Sequence, residues 1–479
     1  MTFAAVLSQL DSLFAYGVSL LERTLFLSIG GLPLVVLWLL FGAVFLTLRF
    51  GFINLRAFGH AIAITRGDYD DPDEPGEVSH FQSLATALSA TVGLGNIAGV
   101  AIALQLGGPG AVLWMTVAGL LGMTSKFVEC TLAQTYRVVQ PDGTVSGGPM
   151  YYLSQGLAER GLKPLGQLLA TAFAGLCALA ALGGGNMFQA NQSGLALVAL
   201  GEQLSGLPLA GYRWVYGGLL AGLVGLVILG GIRRIAQVAA RVVPTMAGVY
   251  VFAALWIVAL HMGDIPAAVQ TIWHAAWHPH AIEGGVVGVL VQGLRRGIFS
   301  SEAGIGSAAI AHAAAKTKEP IQAGTVAMLE PFIDTVVICN LTALVCLVSG
   351  AYQPGIATSG VALTATAFGS EIPAMEIVLA LIVCLFSFST IVSWFYYGET
   401  SWRYLFGNQG LFAYKALYIG CTFLGTVTRL GAVLTFSDMM MFAMGLPSMA
   451  GALLLSGQVA QQLKIYRQRR RTGQVPIYH

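Results

Sequence analysis

Apolar residues in this chain come in long runs separated by short polar stretches. The runs fall at about residues 29–48, 83–106, 111–136, 165–200, 215–231, 243–261, 284–315, 322–348, 377–397, 411–428 and 433–455. A bilayer core about 30 Å thick needs about 20 apolar residues in a helix, so each run is long enough to cross one. The pattern predicts an all-α polytopic membrane protein with about 11 transmembrane helices. The run at 165–200 exceeds one crossing and carries four amides, Asn186, Gln189, Asn191 and Gln192, which are expected to face the bundle interior or a vestibule.

One run is interrupted. Residues 83–106 hold Gly93, Gly95, Asn96 and Gly99 in the middle, where a spanning helix normally keeps good helix formers. Glycine lets the backbone leave helical geometry, and irregular backbone at membrane depth survives only where it is buried or lines a cavity. A second stretch, Ser300-Ser301-Glu302-Ala303-Gly304-Ile305-Gly306, overlays Ser89-Ala90-Thr91-Val92-Gly93-Leu94-Gly95 at an offset of 211 residues, and the same offset pairs Pro109 with Pro320. Two Gly-interrupted spans in corresponding positions are a pointer to the binding site of a secondary transporter; the alternative is small residues used for close helix packing.

Charge placement sets the expected orientation. Arg49, Arg56, Arg66, Arg137, Arg160, Lys163, Arg233, Arg234, Arg241, Lys316, Lys318, Arg403 and the tail Lys464–Arg471 all fall at one side of the alternating runs, which predicts an outside N-terminus and a cytoplasmic C-terminus. Arg213 and Arg429 are outer exceptions, and Arg295 with Arg296 precedes the second break without an evident reason. Five crossings separate the breaks, so they enter from opposite sides. The expected layout is a 5+5 inverted repeat with two broken helices: an N-terminal segment with one extra span at 1–80, a first repeat at 81–283, a second at 284–456 and a basic tail at 457–479.

Composition narrows the class. Of 479 residues only 10% are charged, against about 25% in soluble domains, and the formal net charge is +2, so nothing points to nucleic acid. The six cysteines lie in apolar runs without CxxC spacing and are expected as free thiols. The N-terminus, weakly amphipathic over residues 1–23, lacks the features of a removable leader. Lys126 and Glu129, three apart, are expected to pair. His274 and His278, in the Lys- and Arg-free loop 263–283 with Trp273, Trp277 and His280, are expected to be interfacial, since a metal pair there lacks a third ligand. No hydrolytic triad, HExxH or phosphate loop appears at membrane depth, which argues against an enzyme; His312 stands alone.

The strings Val92-Gly93-Leu94-Gly95-Asn96-Ile97-Ala98-Gly99, Phe299-Ser300-Ser301-Glu302-Ala303-Gly304-Ile305-Gly306-Ser307-Ala308, Glu330-Pro331-Phe332-Ile333-Asp334-Thr335 and Tyr396-Tyr397-Gly398-Glu399 strongly resemble the alanine or glycine:cation symporter family, itself similar in fold to leucine-transporter-like symporters. The resemblance implies sodium-driven, sometimes proton-driven, uptake of alanine or glycine across a prokaryotic plasma membrane. No cofactor beyond the coupling ion and no obligate protein partner is implied.

By that resemblance Ser89, Val92, Ser389 and Thr390 form a sodium site; the alternative for Ser389 and Thr390 is bonding back to their own helix. The amides of Gly93, Leu94 and Gly95 look like the carboxylate cradle, with Thr91 and Asn96 in the same unwound stretch. Backbone oxygens of Phe299, Ser300 and Ser301 suit the substrate ammonium, helped by Asn186 and Gln189. Trp394 either closes the pocket or simply packs. Asp334, with Asn96 and Ser300, is a candidate second cation site, and Glu302 either ties the broken backbone or titrates.

Overall fold

The computed structural model describes Tyr16 and residues 28–29, 32–71, 74–141, 143–229, 231–278, 285–354, 360–372, 374–428 and 430–478. The rest of the weakly amphipathic start, His280, residues 281–283 of the same loop, Arg429 and the Arg233 side chain lie outside the described residues. Eight of its helical stretches are long and apolar enough to cross a membrane. The principal helices are α1 (Leu34–Arg49), α2 (His80–Thr91), α3 (Leu94–Gly107), α4 (Gly110–Thr135), α5 (Lys163–Leu182), α6 (Phe188–Ser205), α7 (Arg213–Ile228), α8 (Gly231–Leu260) and α9 (Ile265–Trp277). They continue with α10 (Gly285–Ser301), α11 (Ser307–Ala313), α12 (Pro320–Ala327), α13 (Asn340–Val348), α14 (Val361–Gly369), α15 (Met375–Phe406), α16 (Leu411–Val427) and α17 (Leu430–Arg471). Two short hairpins are the only strands among the described residues.

Both interruptions form. Between α2 and α3, Val92 is extended (φ −70°, ψ 90°) and Gly93 lies far from helical geometry (φ −152°, ψ −144°). Between α10 and α11, Glu302, Gly304 and Gly306 take positive φ values of 53°, 88° and 87°. The two broken rods run antiparallel. At one end Lys316 N donates to Val78 O (2.8 Å), in the middle a Cβ on Gly95 would stand 3.3 Å from the Ser300 backbone, and at the other end one on Gly107 would stand 2.9 Å from Gln292. The two rods therefore touch at Gly95 and Ser300, each two residues from its break.

The first break is narrower than the glycine spacing suggests. Asn96 Oδ1 accepts from Gly93 N–H (2.9 Å) and so restarts a helix at Leu94; Thr91, Gly95, Asn96 and Gly99 are helical. Two π-helical turns bracket the breaks, Gly183–Met187 between α5 and α6 and Phe332–Cys339 before α13. Such widened turns collect at functional sites because they re-aim side chains. The helix α17 crosses residue 456 without interruption and carries the basic tail as far as Arg471.

Candidate functional site

The site is built where α2 and α3 meet α15. Thr390 Oγ1 donates to Ser89 O (2.9 Å), Ser89 Oγ donates to Ser389 O (3.1 Å), and Ser393 Oγ donates to Ser89 Oγ (2.9 Å). Ser389 and Thr390 behave differently. Ser389 Oγ bonds back to Phe386 O (3.0 Å) as helical serines often do, whereas Thr390 reaches across to the broken helix. All of these groups are buried oxygens, a set suited to a hard monovalent cation. Gly93 is required for the close approach, since a Cβ there would meet Thr390 Oγ1 at 2.7 Å and Gln189 Oε1 at 3.3 Å. Ser393 was not singled out from the sequence, although at i+4 from Ser389 it shares that helix face.

Leu94 N–H, one of the free amides at the start of α3, donates to Gln189 Oε1 (3.3 Å), and Gln189 Nε2 donates to Gly184 O (3.2 Å). Gln189, expected beside the substrate ammonium, thus sits on an amide of the expected carboxylate cradle instead. Asn186, expected with it, donates its Nδ2 to Tyr418 O on α16 (2.8 Å), and its Oδ1 is buried with no partner among the described residues. All four amides of the long span are buried, as expected.

A second cluster forms around Asn96 of α3. Asn96 Nδ2 donates to Asp334 Oδ1 (2.6 Å), Asp334 O (3.0 Å) and Ser300 Oγ (3.2 Å). Ser300 Oγ and Thr335 Oγ1 each donate to Asp334 Oδ2 (both 2.7 Å). The three side chains taken from the sequence as one group are therefore in contact, with Thr335 an addition.

The second break is tied by ionisable groups. Glu302 accepts from Trp394 Nε1 (2.9 Å) and from Ser307 Oγ, so its carboxylate spans the unwound turn through side-chain donors and not through backbone amides. Trp394 is accordingly more than packing, and its ring presses on Gly185, where a Cβ would be 2.2 Å away. Phe299 stacks edge-on against Phe188 at 5.4 Å, and the Ser301 hydroxyl bonds back to Gly297 O (2.9 Å).

Lys126 corrects the sequence reading. Its Nζ pairs with Glu330 Oε1 (2.9 Å), not with Glu129, and both side chains are fully buried. Glu129 instead accepts from Ser448 Oγ of α17 (2.9 Å). Asp438, also on α17, accounts for the basic pair before the second break: Arg296 bonds it directly and Arg295 lies 3.0 Å away. The Arg296 guanidinium also stands 5.0 Å over the Phe299 ring. Asp438 carried no spacing signal, because its partners lie more than 140 residues distant. All six cysteines are free, and no group of three His, Cys, Asp or Glu among the described residues is arranged to hold a metal.

With this geometry the relatives can be placed. AgcS of Methanococcus maripaludis, named a sodium/alanine symporter, is 39% identical over 442 residues, covering 92% of this chain and 95% of that protein. GlnT of Bacillus subtilis, named a probable sodium/glutamine symporter, is 34% identical over 450 residues, covering 93% and 90%. The solved structure of MhsT in complex with L-phenylalanine superposes with a TM-score of 0.56 at 15% identity, covering 78% of this chain and 88% of that one. That likeness shows the leucine-transporter-like fold. The named relatives are transporters and not enzymes. The pattern of the sodium:alanine symporter family matches residues 22–479, and the chain belongs to that family.

Proposed function

We propose that the protein is a sodium-coupled symporter that carries a small neutral amino acid, alanine or glycine, into a prokaryotic cell by alternating access. The observation that carries this reading is the meeting of two antiparallel broken helices at Gly95 and Ser300, with buried oxygens gathered at Ser89 and Thr390 and again at Ser300 and Asp334. Moving a zwitterion and an ion through hydrocarbon is prohibitive unless fixed dipoles replace water, and unwound backbone supplies them. Ten of eleven crossings, five in each of two inverted repeats at 81–283 and 284–456, then rock around this fixed site, with the first span as an addition. The N-terminus lies outside and α17 ends in the cytoplasm of an inner-membrane protein.

In this reading Ser89, Val92, Ser389 and Thr390 hold the sodium ion. Thr390, already bonded to Ser89 O, is its hydroxyl ligand from α15. Asn96, Ser300 and Asp334 hold a second cation. The carboxylate takes the Leu94 and Gly95 amides as Gln189 gives way, and the ammonium takes the oxygens of Phe299, Ser300 and Ser301. Trp394 and Gly185 limit side-chain size. If ion and substrate complete each other's site, each raises the other's affinity by the same factor.

A proton-coupled version is favoured by one observation: Glu129, Glu302 and Glu330 are all buried beside a single lysine, Lys126. Uptake of radiolabelled alanine into proteoliposomes, with sodium and pH gradients imposed separately, distinguishes the two. Accumulation driven by sodium alone supports the first reading; accumulation driven by a pH gradient alone replaces it with the second, and none under either ends both.

A further inference from the structure

Where α1 ends against the last turns of α17, a cavity of about 670 Å3 opens, lined by Arg49, Lys464, Arg467 and Arg471 with Phe50 and Leu463 as its apolar floor. None of the four cations makes an ion pair among the described residues. Arg469, on the same helix, does pair, with Glu319. The crowding is unfavourable by itself, because Arg56 and Arg471 both repel Arg467 electrostatically. Arg160 adds to it: a Cβ on Gly457 would sit 3.4 Å from Arg49 and 3.8 Å from Arg160. A fold that gathers like charges around a hollow, with no carboxylate among the described residues that line it, calls for an anion from elsewhere.

The surroundings identify which anion. The 42 residues of α17 at about 1.5 Å each span roughly twice a hydrocarbon core of about 30 Å, so its basic end stands at and beyond the membrane boundary. Running from Arg49 back along α1, Leu48, Phe45 and Phe41 are exposed at helical spacing, with Phe41 and Phe45 stacked at 6.2 Å. This stripe leads from the cationic hollow into the apolar depth of the bilayer. A ligand with a phosphate head and acyl chains matches both parts.

We infer that this groove binds the headgroup of an anionic phospholipid, with its phosphate among Arg49, Lys464, Arg467 and Arg471 and its chains along Phe41, Phe45 and Leu48. The inference does not depend on the transport reading. Juxtamembrane cations each contribute about 1 kcal/mol to anionic-lipid binding, or about five-fold in affinity.

The test is a titration of purified full-length protein in detergent with phosphatidylglycerol, cardiolipin, phosphatidylcholine or inorganic phosphate, following the rise in Tm. The two anionic lipids are expected to raise Tm saturably, and phosphatidylcholine and inorganic phosphate at equal phosphate concentration are not. Lys464→Gln, a single exposed change, is expected to weaken the response about five-fold. Arg49→Gln with Arg467→Gln and Arg471→Gln should abolish it, whereas Arg469→Gln should leave it intact. An equal response to phosphatidylcholine or to free phosphate, or an undiminished response in both groove variants, overturns the assignment.

Discussion

The two breaks come from overlaying sequences and are built in opposite ways. At the first, two residues leave the helix, and the exposed backbone is closed by neutral amides, Asn96 on Gly93 N–H and Gln189 on Leu94 N–H. At the second, five residues leave it, three with positive φ, and the gap is bridged by Glu302 between Trp394 and Ser307, behind which lie Lys126, Glu330 and Glu129. A neutral closure can open and reclose around an ion at little electrostatic cost. A charged closure in low dielectric is stable only as a complete set. The first break is thus suited to exchanging ligands, and the second to holding shape.

The strongest way to break this contrast is to remove the lysine. Lys126→Met leaves Glu330 buried without its partner, a loss of about 3–5 kcal/mol, which thermal unfolding in detergent will report. Adding Glu330→Leu should recover part of that and not all, since Glu302 and Glu129 also face the lysine. Full recovery would show that the carboxylates act independently.

Next in size is a pair of alanine substitutions, one at each break. Gly306→Ala forces a residue with a Cβ to φ +87°, unfavourable by about 1–2 kcal/mol, and sets that Cβ 2.6 Å from Pro149 Cγ and Ser448 Oγ. It should lower Tm. Gly93→Ala meets no φ penalty and collides only with the Thr390 hydroxyl and the Gln189 amide. Its expected signature is weakened sodium activation of uptake at nearly unchanged Tm. The opposite pattern would reverse the roles given to the breaks.

These differences explain what was legible in the sequence. The two interruptions follow from glycine spacing, the burial of the amides from the cost of four amides in an apolar run, and the Asn96–Ser300–Asp334 grouping from the family resemblance. The partner of Lys126 does not. Spacing of i,i+3 says that Glu129 shares its face, but in a bundle that face meets other helices, and Glu330 arrives from another helix. Asp438 was missed for the same reason. The π-helical turn carrying Asp334 leaves no trace in hydrophobic periodicity, because it changes the aim of residues and not their type. The width of the first break was overread: Asn96, taken as part of the unwinding, is the residue that ends it.

A finer test stays within the first break. Because Thr390 crosses to Ser89 O while Ser389 bonds its own helix, Thr390→Ala should raise the sodium concentration for half-maximal uptake about five- to ten-fold, the size of one lost polar contact, and Ser389→Ala less. Equal effects would place both hydroxyls on the ion.

The smallest effect expected lies outside both breaks and guards the comparison against misreading. If the second break is the ionisable one, a pH dependence of stability will be credited to it, yet His261, just beyond α8, also titrates. Its ring bonds Glu371 (2.8 Å) and Asp264 (3.2 Å), and these contacts, Glu371 first, raise its pKa above the ordinary 6.5. A raised histidine pKa contributes stability that is fully present below the ordinary value and is lost as pH rises through the shifted one. Tm should therefore fall slightly as pH rises above about 6.5, and His261→Gln should remove that part of the slope. Because the group is partly exposed, the step should shrink with added salt. Any pH dependence that survives both His261→Gln and high salt must come from buried groups, and an unchanged slope in the variant would remove His261 from the account.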